Sequence, residues 1–252
     1  MKIIKTKTLK QAYGKLIKTL LKSKHVSDTK EIENCVIQIK NPDVKDFEFG
    51  FRKISEKYAL GELNWYWAGS NSCEEIGKFA KKWLSITDDG ITNNSAYGFI
   101  LEKKYGFDQI EQVINLLKKD KNTRRAVLNI SDPAIDRINT KDMQCTIAIQ
   151  FLIRNNKLNT TVYMRSNDVI FGFPYDYIYF ISLAYYISSK LDIELGTYTH
   201  IATSLHLYDS GYKYINQNKD VTTINFDEII QKNYDKNFNN WEDLKYENQK
   251  IY

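Results

Sequence analysis

The sequence predicts a single α+β domain spanning residues 1–252, and three observations lead to this prediction. With 252 residues and 42% hydrophobic content, the chain can bury one sizeable core. Segments with the apolar spacing of helices and segments with the alternation of strands follow one another along it. No internal repeat and no long low-complexity segment divides the sequence.

The first part of the chain is predicted to contain two helices around one strand. Apolar residues recur at helical spacing over Leu16–Leu21, which predicts a short helix. Alternation over Glu33–Lys40 predicts a strand that ends at the Asn-Pro pair after it. Phe51–Trp67 carries enough apolar surface for a largely buried helix.

A polar, turn-rich segment over Ser85–Ser95 precedes a further helix and strand. Phe107–Lys119 has its apolar residues on one face, which predicts the helix. The segment Asn122–Ile130 is predicted to contain a turn, two adjacent arginines and a strand. Neighbouring strand residues point to opposite faces, so we expect Arg124 and Arg125 to diverge.

The next segment is predicted to be a β-hairpin. Thr146–Ile153 and Leu158–Met164 both alternate between apolar and polar residues. Between them lie Asn155 and Asn156, a pair that favours a tight turn.

The last part of the chain is predicted to hold a core helix and a strand. Asp176–Leu191 is apolar nearly all round, which is typical of a helix buried on every side. Thr197–Leu205 alternates and predicts a strand. From Asn216 onward the composition turns polar, and we expect this tail to become ordered only when something binds.

The charge of the chain argues against a nucleic-acid-binding protein. The formal net charge is +5 and the isoelectric point is about 8.8. However, the lysines are spread without one dominant basic run, and neither zinc-finger spacing nor a basic zipper is present. We therefore expect a soluble surface without direct nucleic-acid binding.

The cysteines and histidines predict neither disulfides nor a metal site. Cys35, Cys73 and Cys145 are an odd number without C-x-x-C spacing, which is typical of a reducing compartment. His25 and His200 are isolated residues without ligand spacing. Because no apolar run is long enough for a signal peptide or a membrane span, we expect a cytoplasmic enzyme.

Residues capable of chemistry cluster at the edges of the predicted hairpin. Cys145 taken alone would be interpreted as a small buried hydrophobic residue. Arg165 on the paired strand could lower the pKa of the Cys145 thiol and make it a nucleophile. Arg124, Arg125 and Arg165 with Ser166 would suit a phosphate, because forked guanidinium donors match phosphate oxygens.

Glu62 lies in an aromatic run, G-E-L-N-W-Y-W, and has two interpretations. An ionised carboxylate is costly to bury unless it is paired or protonated. Glu62 therefore either faces solvent or lines a site, and its spacing alone favours solvent. Trp65, Trp67 and Trp83 are interpreted as core or pocket-wall residues.

Six separated motifs carry a resemblance to a known family. In chain order they are E-L-x-W-Y, A-Y-G, N-T-R-R, Q-C-T, R-S-N-D-V-I-F-G-F-P-Y-D and S-L-H-L-Y, which begin at Glu62, Ala96, Asn122, Gln144, Arg165 and Ser204. This order resembles the thymidylate synthase superfamily over most of the chain. The resemblance implies a three-layer α+β fold, in which helices pack on a central mixed sheet and one sheet face forms a homodimer interface.

The resemblance also implies a reaction. Cys145 would add to carbon 6 of a pyrimidine nucleoside monophosphate, and carbon 5 would attack the methylene group of the co-substrate 5,10-methylenetetrahydrofolate. No metal is implied. Glu62 would organise the proton-transferring waters, against the preference drawn from its spacing.

Binding roles are implied for the residues around these two. The phosphate would be held by Arg165 and Ser166, with Arg124 and Arg125 crossing from the other subunit of a homodimer. The remaining nucleotide contacts would come from Gln150, Asn167, His206 and Tyr208, of which the last two would bind the sugar. The folate contacts would come from Asp168, Gly172 and Trp83.

The resemblance implies that Asp176 reads the base. At this spacing from the cysteine, the methylating synthases have an asparagine, whose amide complements uracil. An aspartate that is protonated, or that shares a proton with the ring, complements cytosine. Thr146 also replaces a histidine that is usual in the methylating synthases. Both the aspartate and the surrounding run resemble the phage deoxycytidylate hydroxymethylases, in which water captures the methylene intermediate, 5-hydroxymethyl-dCMP is released and tetrahydrofolate stays unoxidised.

Three alternatives stay open on the sequence alone. The chain could be a methylating enzyme that acts on dUMP or dCMP. It could be a hydroxymethylase that acts on CMP, since the implied sugar contacts suit either sugar. It could also be a non-catalytic nucleotide- or RNA-binding relative.

Overall fold

The computed structural model describes residues 1–44, 47 and 49–215. The strands are β1 Lys2–Thr6, β2 Lys24–Val26, β3 Thr29–Ile39, β4 Val127–Asn129, β5 Thr146–Arg154, β6 Lys157–Asp168 and β7 Glu194–Tyr208. The helices are α1 Leu9–Leu20, α2 Glu56–Trp67, α3 Cys73–Gly77, α4 Lys82–Ile86, α5 Tyr97–Glu102, α6 Gln109–Lys119, α7 Phe173–Lys190 and α8 Tyr212–Ile215. The predicted polar tail from Asn216 onward lies outside the described residues.

Seven strands of the described chain form one mixed sheet in the order β1-β3-β7-β6-β5-β4, with β2 paired to β3. Strand β7 is antiparallel to β3 and parallel to β6, and β5 is antiparallel to both β6 and β4. Helix α1 packs against β1 and β3, and α7 packs against β6 and β7. The prediction of an α+β fold with a central mixed sheet is therefore confirmed.

The predicted hairpin is present as β5 and β6. Asn155 and Asn156 have φ angles of 52° and 55°, which a two-residue turn of this hand requires and which asparagine tolerates. Strand β6 runs beyond the predicted end at Met164 to Asp168, because it also pairs with β7. The polar run that begins at Arg165 is therefore carried by a central strand.

Helix α7 is the core helix that its apolar composition predicts, and it begins at Phe173 instead of Asp176. Pro174 suits the first turn because a proline there breaks no hydrogen bond of the helix. The sheet and α2 both pack against α7. The earlier start places Asp176 in the first helical turn. No helix within the described ranges is both long enough and apolar enough to cross a membrane.

Several short elements were not predicted. Strands β1 and β2 and helices α3, α4 and α5 have three to six residues each, which is too few for a periodic pattern to be distinct. Helix α1 begins at Leu9 and not at the predicted Leu16, because Thr8 caps its N-terminus by accepting a hydrogen bond from the Gln11 main-chain N–H.

Arg124 and Arg125 do not alternate on a strand, contrary to the prediction. Ladder pairing in this region covers only Val127–Asn129. The Arg125 carbonyl instead accepts a hydrogen bond from the Val127 main-chain N–H, as in a turn. Both arginines are exposed at the entrance to β4.

Gly98, in the A-Y-G motif, permits the close approach of α5 to α2. A Cβ at this position would overlap the Tyr66 carbonyl group, so Gly98→Ala has to push the two helices apart. We expect the free energy of unfolding to fall by about 3 kcal/mol, measured by urea denaturation. Gly90→Ala is the control: its φ of 76° costs about 1 kcal/mol, but no atom lies within 4 Å of the added methyl group. Equal losses in the two variants would contradict this explanation.

Candidate active site

Cys145 lies just before β5, next to a bulge in the pairing of β5 with β6. The Arg165 guanidinium is held against it: Nε donates to the Gln144 carbonyl oxygen and Nη2 to the Met143 carbonyl oxygen, both at 2.9 Å. Nη2 also lies 3.7 Å from the Cys145 sulfur. The hairpin therefore fixes a cation beside the candidate nucleophile, as predicted.

The pKa of Cys145 nevertheless moves in the opposite direction to the one expected. Burial raises the pKa of this half-buried thiol to about 11, and Arg165 only partly opposes the increase. The carboxyl groups of Asp176, Asp142 and Asp168 raise it further. The expectation that Arg165 depresses the pKa of Cys145 is thus wrong for the single chain without substrate. The effect of one arginine is outweighed by burial and by three acidic neighbours.

Glu62 is buried in α2, so the preference for solvent drawn from its spacing is wrong. One of its carboxylate oxygens accepts a hydrogen bond from the Tyr58 hydroxyl at 2.5 Å, and the Trp83 indole N–H donates to the same hydroxyl at 2.9 Å. Burial raises the pKa of Glu62 to about 8, with a smaller increase from Asp176 and a decrease from the Tyr58 hydrogen bond. Glu62 can therefore gain and lose a proton near neutral pH.

Asp176 is joined to β6 by a side-chain hydrogen bond. The Asn167 amide Nδ2 donates to Asp176 Oδ2 at 2.7 Å. Burial raises the pKa of Asp176 to about 7, Asn167 lowers it and Asp168 raises it. A carboxyl group at the position of the predicted base reader thus titrates near neutrality.

Asp168 and Gly172 shape the turn between β6 and α7. Asp168 accepts hydrogen bonds from the main-chain N–H groups of Ile170 at 2.9 Å and Phe171 at 3.1 Å. A Cβ at Gly172 would lie 2.9 Å from Asn167 Nδ2, so only glycine fits against that amide. Gly172, one of the predicted folate-binding residues, therefore also makes room for the Asn167 amide.

The predicted sugar-binding residues lie together at the end of β7. His206 is buried and pairs in register with Asp168 of β6. Its ring makes an edge-to-face contact with Tyr208, with the ring centroids 4.9 Å apart. Ser166 of β6 pairs with Ser204 of β7, two positions before His206. Parallel pairing thus gathers Ser166, Asp168 and His206 at one end of the sheet.

Arg124, Arg125 and Gln150 are not brought to Cys145 within one chain. Gln150 lies five positions along β5 from Cys145, roughly 17 Å at the usual strand rise. Its amide donates to the Arg124 carbonyl oxygen at 3.1 Å. Neither arginine guanidinium has a hydrogen-bond or ion-pair partner among the described residues, and both are exposed.

Arg52 is a buried cation that the sequence analysis missed. Its Nη2 donates to the Tyr175 hydroxyl at 3.3 Å, while Nε and Nη1 have no partner in the described part of the chain. The guanidinium lies 5.1 Å from the Phe171 ring centroid. Burial raises the pKa of Asp168, and the charge of Arg52 is one of the smaller causes that oppose this increase. An arginine inside the apolar run F-G-F-R-K-I was the available signal.

His25 and His200, which lie outside the six family motifs, differ in environment. His25 Nε2 lies 2.8 Å from the Asp209 carboxylate at the surface. His200 is fully buried, and its Nε2 lies 3.1 Å from Asn167 Oδ1. The described residues contain no group of three or more histidine, cysteine or acidic side chains that could hold a metal ion.

Comparison with known proteins gives the fold and the family. The solved structure of thermostable thymidylate synthase A from Bacillus subtilis superposes with a TM-score of 0.67 at 23% identity, over 84% of this chain and 85% of that one. The family model described as Thymidylate synthase matches residues 11–251. A putative thymidylate synthase of Methanocaldococcus jannaschii is 35% identical, over 85% of this chain and 95% of that protein.

Phage enzymes are also similar to this chain. The deoxyuridylate hydroxymethyltransferase of Bacillus phage SP01 is 31% identical, over 80% of this chain and 57% of that protein. The deoxycytidylate 5-hydroxymethyltransferase of Enterobacteria phage T4 is 32% identical, over 53% of this chain and 56% of that protein. The chain therefore spans little more than half the length of these phage relatives.

The chain belongs to the thymidylate synthase family. It is a transferase of a family that acts on nucleotide and folate substrates and uses methylenetetrahydrofolate as a co-substrate. The predicted resemblance and fold are confirmed.

The raised pKa of Cys145 predicts slow alkylation of the free protein. Because the thiolate is the reactive form, the rate of modification by iodoacetamide should rise about tenfold per pH unit from pH 7 to pH 10. Mass spectrometry of the peptide containing Cys145 measures this rate, and Cys145→Ser identifies the signal. A modification rate that levels off below pH 8 would show that the effect of Arg165 on the Cys145 pKa outweighs the effect of burial.

The raised pKa of Glu62 predicts a loss of stability as the pH rises. The folded protein holds this proton up to about pH 8, whereas the unfolded chain releases it near its ordinary pKa of 4.5. Stability from Glu62 is therefore complete below about pH 4.5 and is lost as the pH rises through 8. Relative to wild type, Glu62→Gln should gain on the order of a few kcal/mol in unfolding free energy between pH 5 and pH 9.

Urea denaturation at pH 5, 7 and 9 measures this difference. Glu56→Gln removes an exposed carboxylate from the same helix and serves as the control. A constant difference between Glu62→Gln and wild type at all three pH values would contradict the assignment of a buried, protonated Glu62.

Proposed function

We propose that this enzyme transfers a hydroxymethyl group to carbon 5 of dCMP, with 5,10-methylenetetrahydrofolate as the one-carbon donor and water as the source of the hydroxyl. The observation that carries the proposal is the Asp176 carboxyl group, with a pKa of about 7 and one oxygen held by Asn167. An asparagine at this position would read uracil.

The base is selected by hydrogen-bond complementarity. Cytosine offers an exocyclic amine donor and an unprotonated ring nitrogen, N3. One Asp176 oxygen accepts from the amine, and the other shares a proton with N3. Uracil offers a carbonyl oxygen and an N–H at these positions, and a carboxylate is repelled by the carbonyl oxygen. A pKa near 7 makes the shared proton available at physiological pH.

The phosphate site is completed in a homodimer. Arg165 uses Nε and Nη2 on carbonyl oxygens of its own hairpin, which leaves Nη1 for the phosphate beside Ser166. Arg124 and Arg125 add two exposed guanidinium groups from the other subunit, because they cannot reach Cys145 within one chain. Gln150 positions Arg124 through its carbonyl oxygen. His206 and Tyr208 bind the sugar hydroxyl.

The residues around α7 fit a folate. A folate has an aromatic pterin and carboxylates, and the site offers the partly buried Trp83 ring and the Phe171 ring, which is 45% exposed. Arg52 contributes two buried donors that lack partners among the described residues. Asp168 and Gly172 form the adjacent turn. The bound folate supplies the one-carbon unit.

The chemistry begins when Cys145 adds to carbon 6 and makes carbon 5 nucleophilic. Carbon 5 then bonds to the methylene carbon, after which the carbon-5 proton and tetrahydrofolate are lost. Water adds to the resulting exocyclic methylene, and departure of Cys145 restores the ring double bond. The ionised fraction of Glu62, which a pKa of about 8 makes available near neutral pH, takes the carbon-5 proton, and the carboxyl group places the water. No hydride moves, so tetrahydrofolate is not oxidised.

Substrate binding also activates the nucleophile. The Asp176 charge is one of the causes that raise the Cys145 pKa. When Asp176 shares a proton with cytosine, this charge is neutralised, so one of the smaller causes of the raised Cys145 pKa is removed and the pKa falls. A nucleophile that is protonated at rest thus becomes more reactive beside the correct base.

A second candidate is a reaction on dUMP, either hydroxymethylation or methylation. It is favoured by the similarity to the deoxyuridylate hydroxymethyltransferase of Bacillus phage SP01 and to a putative thymidylate synthase. For this reaction Asp176 would have to carry a proton on the oxygen that faces the uracil carbonyl. CMP in place of dCMP is a further alternative.

The test is a kinetic comparison of dCMP, dUMP and CMP with methylenetetrahydrofolate. We expect kcat/KM for dCMP to exceed that for dUMP at least a hundredfold, a 5-hydroxymethyl product by mass spectrometry and no absorbance change from dihydrofolate. Asp176→Asn should reverse the preference, because its amide complements uracil. Preference for dUMP in the wild type, or dihydrofolate formation with dCMP, would contradict the proposal.

A further inference from the structure

A chain of buried polar groups leads from Asp176 into the core. Asn167 Nδ2 lies 2.7 Å from Asp176 Oδ2, and Asn167 Oδ1 lies 3.1 Å from His200 Nε2. His200 Nδ1 lies 3.1 Å from the Tyr198 hydroxyl. Asn167, His200 and Tyr198 are each at most 2% exposed. These three residues, here called the relay, join β6 and β7 to the first turn of α7.

Each hydrogen bond of the relay has a defined donor and a defined acceptor. Asp176 Oδ2 accepts a hydrogen bond from Asn167, so the Asn167 side that faces Asp176 is its NH2 group. The Asn167 oxygen then faces His200 and accepts, which requires the hydrogen on Nε2 of the imidazole. His200 Nδ1 is left with a lone pair, so the Tyr198 hydroxyl must donate to it.

The environments of His200 and Tyr198 keep both side chains in the protonation states that these hydrogen bonds require. Burial lowers the pKa of His200 to about 3, so the imidazole is neutral with one hydrogen. Burial also raises the pKa of Tyr198 well above its ordinary value, so the phenol keeps its hydrogen. The Phe173 ring packs edge-to-face on His200 at 5.0 Å, and the Tyr177 ring does the same on Tyr198 at 4.9 Å.

We propose that Tyr198 and His200 are specificity-determining positioning residues, which lock the Asn167 amide so that Asp176 accepts cytosine and rejects uracil. The inference rests on the proposed function. Among the described residues the Tyr198 hydroxyl has no acceptor other than His200 Nδ1, so it donates there and favours the His200 tautomer with its hydrogen on Nε2. That tautomer fixes the amide orientation, and the amide decides which Asp176 oxygen can carry a proton.

The position of that proton decides the base. A protonated carboxyl group has one donor and one acceptor oxygen, as an amide has a donor nitrogen and an acceptor oxygen. With the proton on the oxygen facing N3 it complements cytosine, and with the proton on the other oxygen it complements uracil. The N–H of Asn167 occupies Oδ2 and disfavours a proton there, since a bond to an unprotonated oxygen is stronger. Oδ2 therefore receives the exocyclic amine, and Oδ1 shares the proton with N3.

Removing the Tyr198 hydroxyl unlocks this arrangement. In Tyr198→Phe the His200 hydrogen can move to Nδ1, and Nε2 becomes an acceptor. The Asn167 amide can then turn round and present its oxygen to Asp176, which now needs a proton on Oδ2. In that state Oδ1 accepts the N–H of uracil, and cytosine N3 receives no proton. Discrimination between the two bases falls although the substituted residue itself does not touch the substrate.

The test compares kcat/KM for dCMP and dUMP in wild type, Tyr198→Phe, His200→Phe and Tyr13→Phe. Tyr13→Phe is the matched control, because it removes another buried phenol, which donates to the Val169 carbonyl oxygen at 3.0 Å outside the relay. We expect the dCMP-to-dUMP ratio to fall about tenfold or more in Tyr198→Phe and His200→Phe, and to stay at the wild-type value in Tyr13→Phe.

Nitrogen-15 NMR of the imidazole rings gives an independent readout, and the chain has only three histidines to assign. The signal lost in His200→Phe identifies His200, which should carry its hydrogen on Nε2 in wild type and, at least in part, on Nδ1 in Tyr198→Phe. This shift requires only a folded protein, so it also separates an unlocked relay from a misfolded variant.

The outcomes separate the two proposals. A wild type that prefers dUMP overturns the proposed function and this inference together. A wild type that prefers dCMP, with an unchanged base ratio in Tyr198→Phe and His200→Phe, leaves the proposed function intact and overturns the relay. A wild-type His200 that carries its hydrogen on Nδ1 also overturns the relay.

Discussion

The hydrogen bond from Asn167 to Asp176 is the contact on which the rest of the site depends. It joins the end of a central strand to the first turn of the core helix, where the proposed base reader Asp176 lies. Gly172 is required because a Cβ there would lie 2.9 Å from the Asn167 amide. The hydrogen bond between Asn167 and Asp176 thus depends on where α7 starts, on the turn before it and on the extension of β6 to Asp168.

Cys145 and Glu62 are mostly uncharged at neutral pH, whereas Asp176 is close to half ionised. Burial raises the pKa values of Cys145, Glu62 and Asp176 to about 11, 8 and 7, which reduces the repulsion between the thiol and the two carboxyl groups at neutral pH. Their pKa values are linked, since Asp176 raises those of both other groups. In this account the base changes one charge and thereby changes the reactivity of the whole cluster.

The sequence predicted those features that depend on periodicity or on local motifs. The hairpin, the core helix and the proximity of Arg165 to Cys145 follow from alternation, from composition and from strand pairing. Burial of Glu62 could not be predicted from helical spacing, which reports one helix and not what covers its opposite face. Only the family resemblance implied a place for Glu62 in the site. The hydrogen bond between His200 and Asn167 could not be predicted either, because Asn167 lies on a neighbouring strand and far away in sequence.

The most direct test of the account is the protonation state of the bound base. Nitrogen-15 NMR of dCMP labelled at N3 reports whether this nitrogen shares a proton when the nucleotide is bound. We predict a large shift of the N3 signal toward the protonated position in the wild-type complex, and no such shift in the complex of Asp176→Asn. An N3 signal that stays at the position of free, unprotonated dCMP in the wild-type complex would contradict the claim that Asp176 selects cytosine through a shared proton.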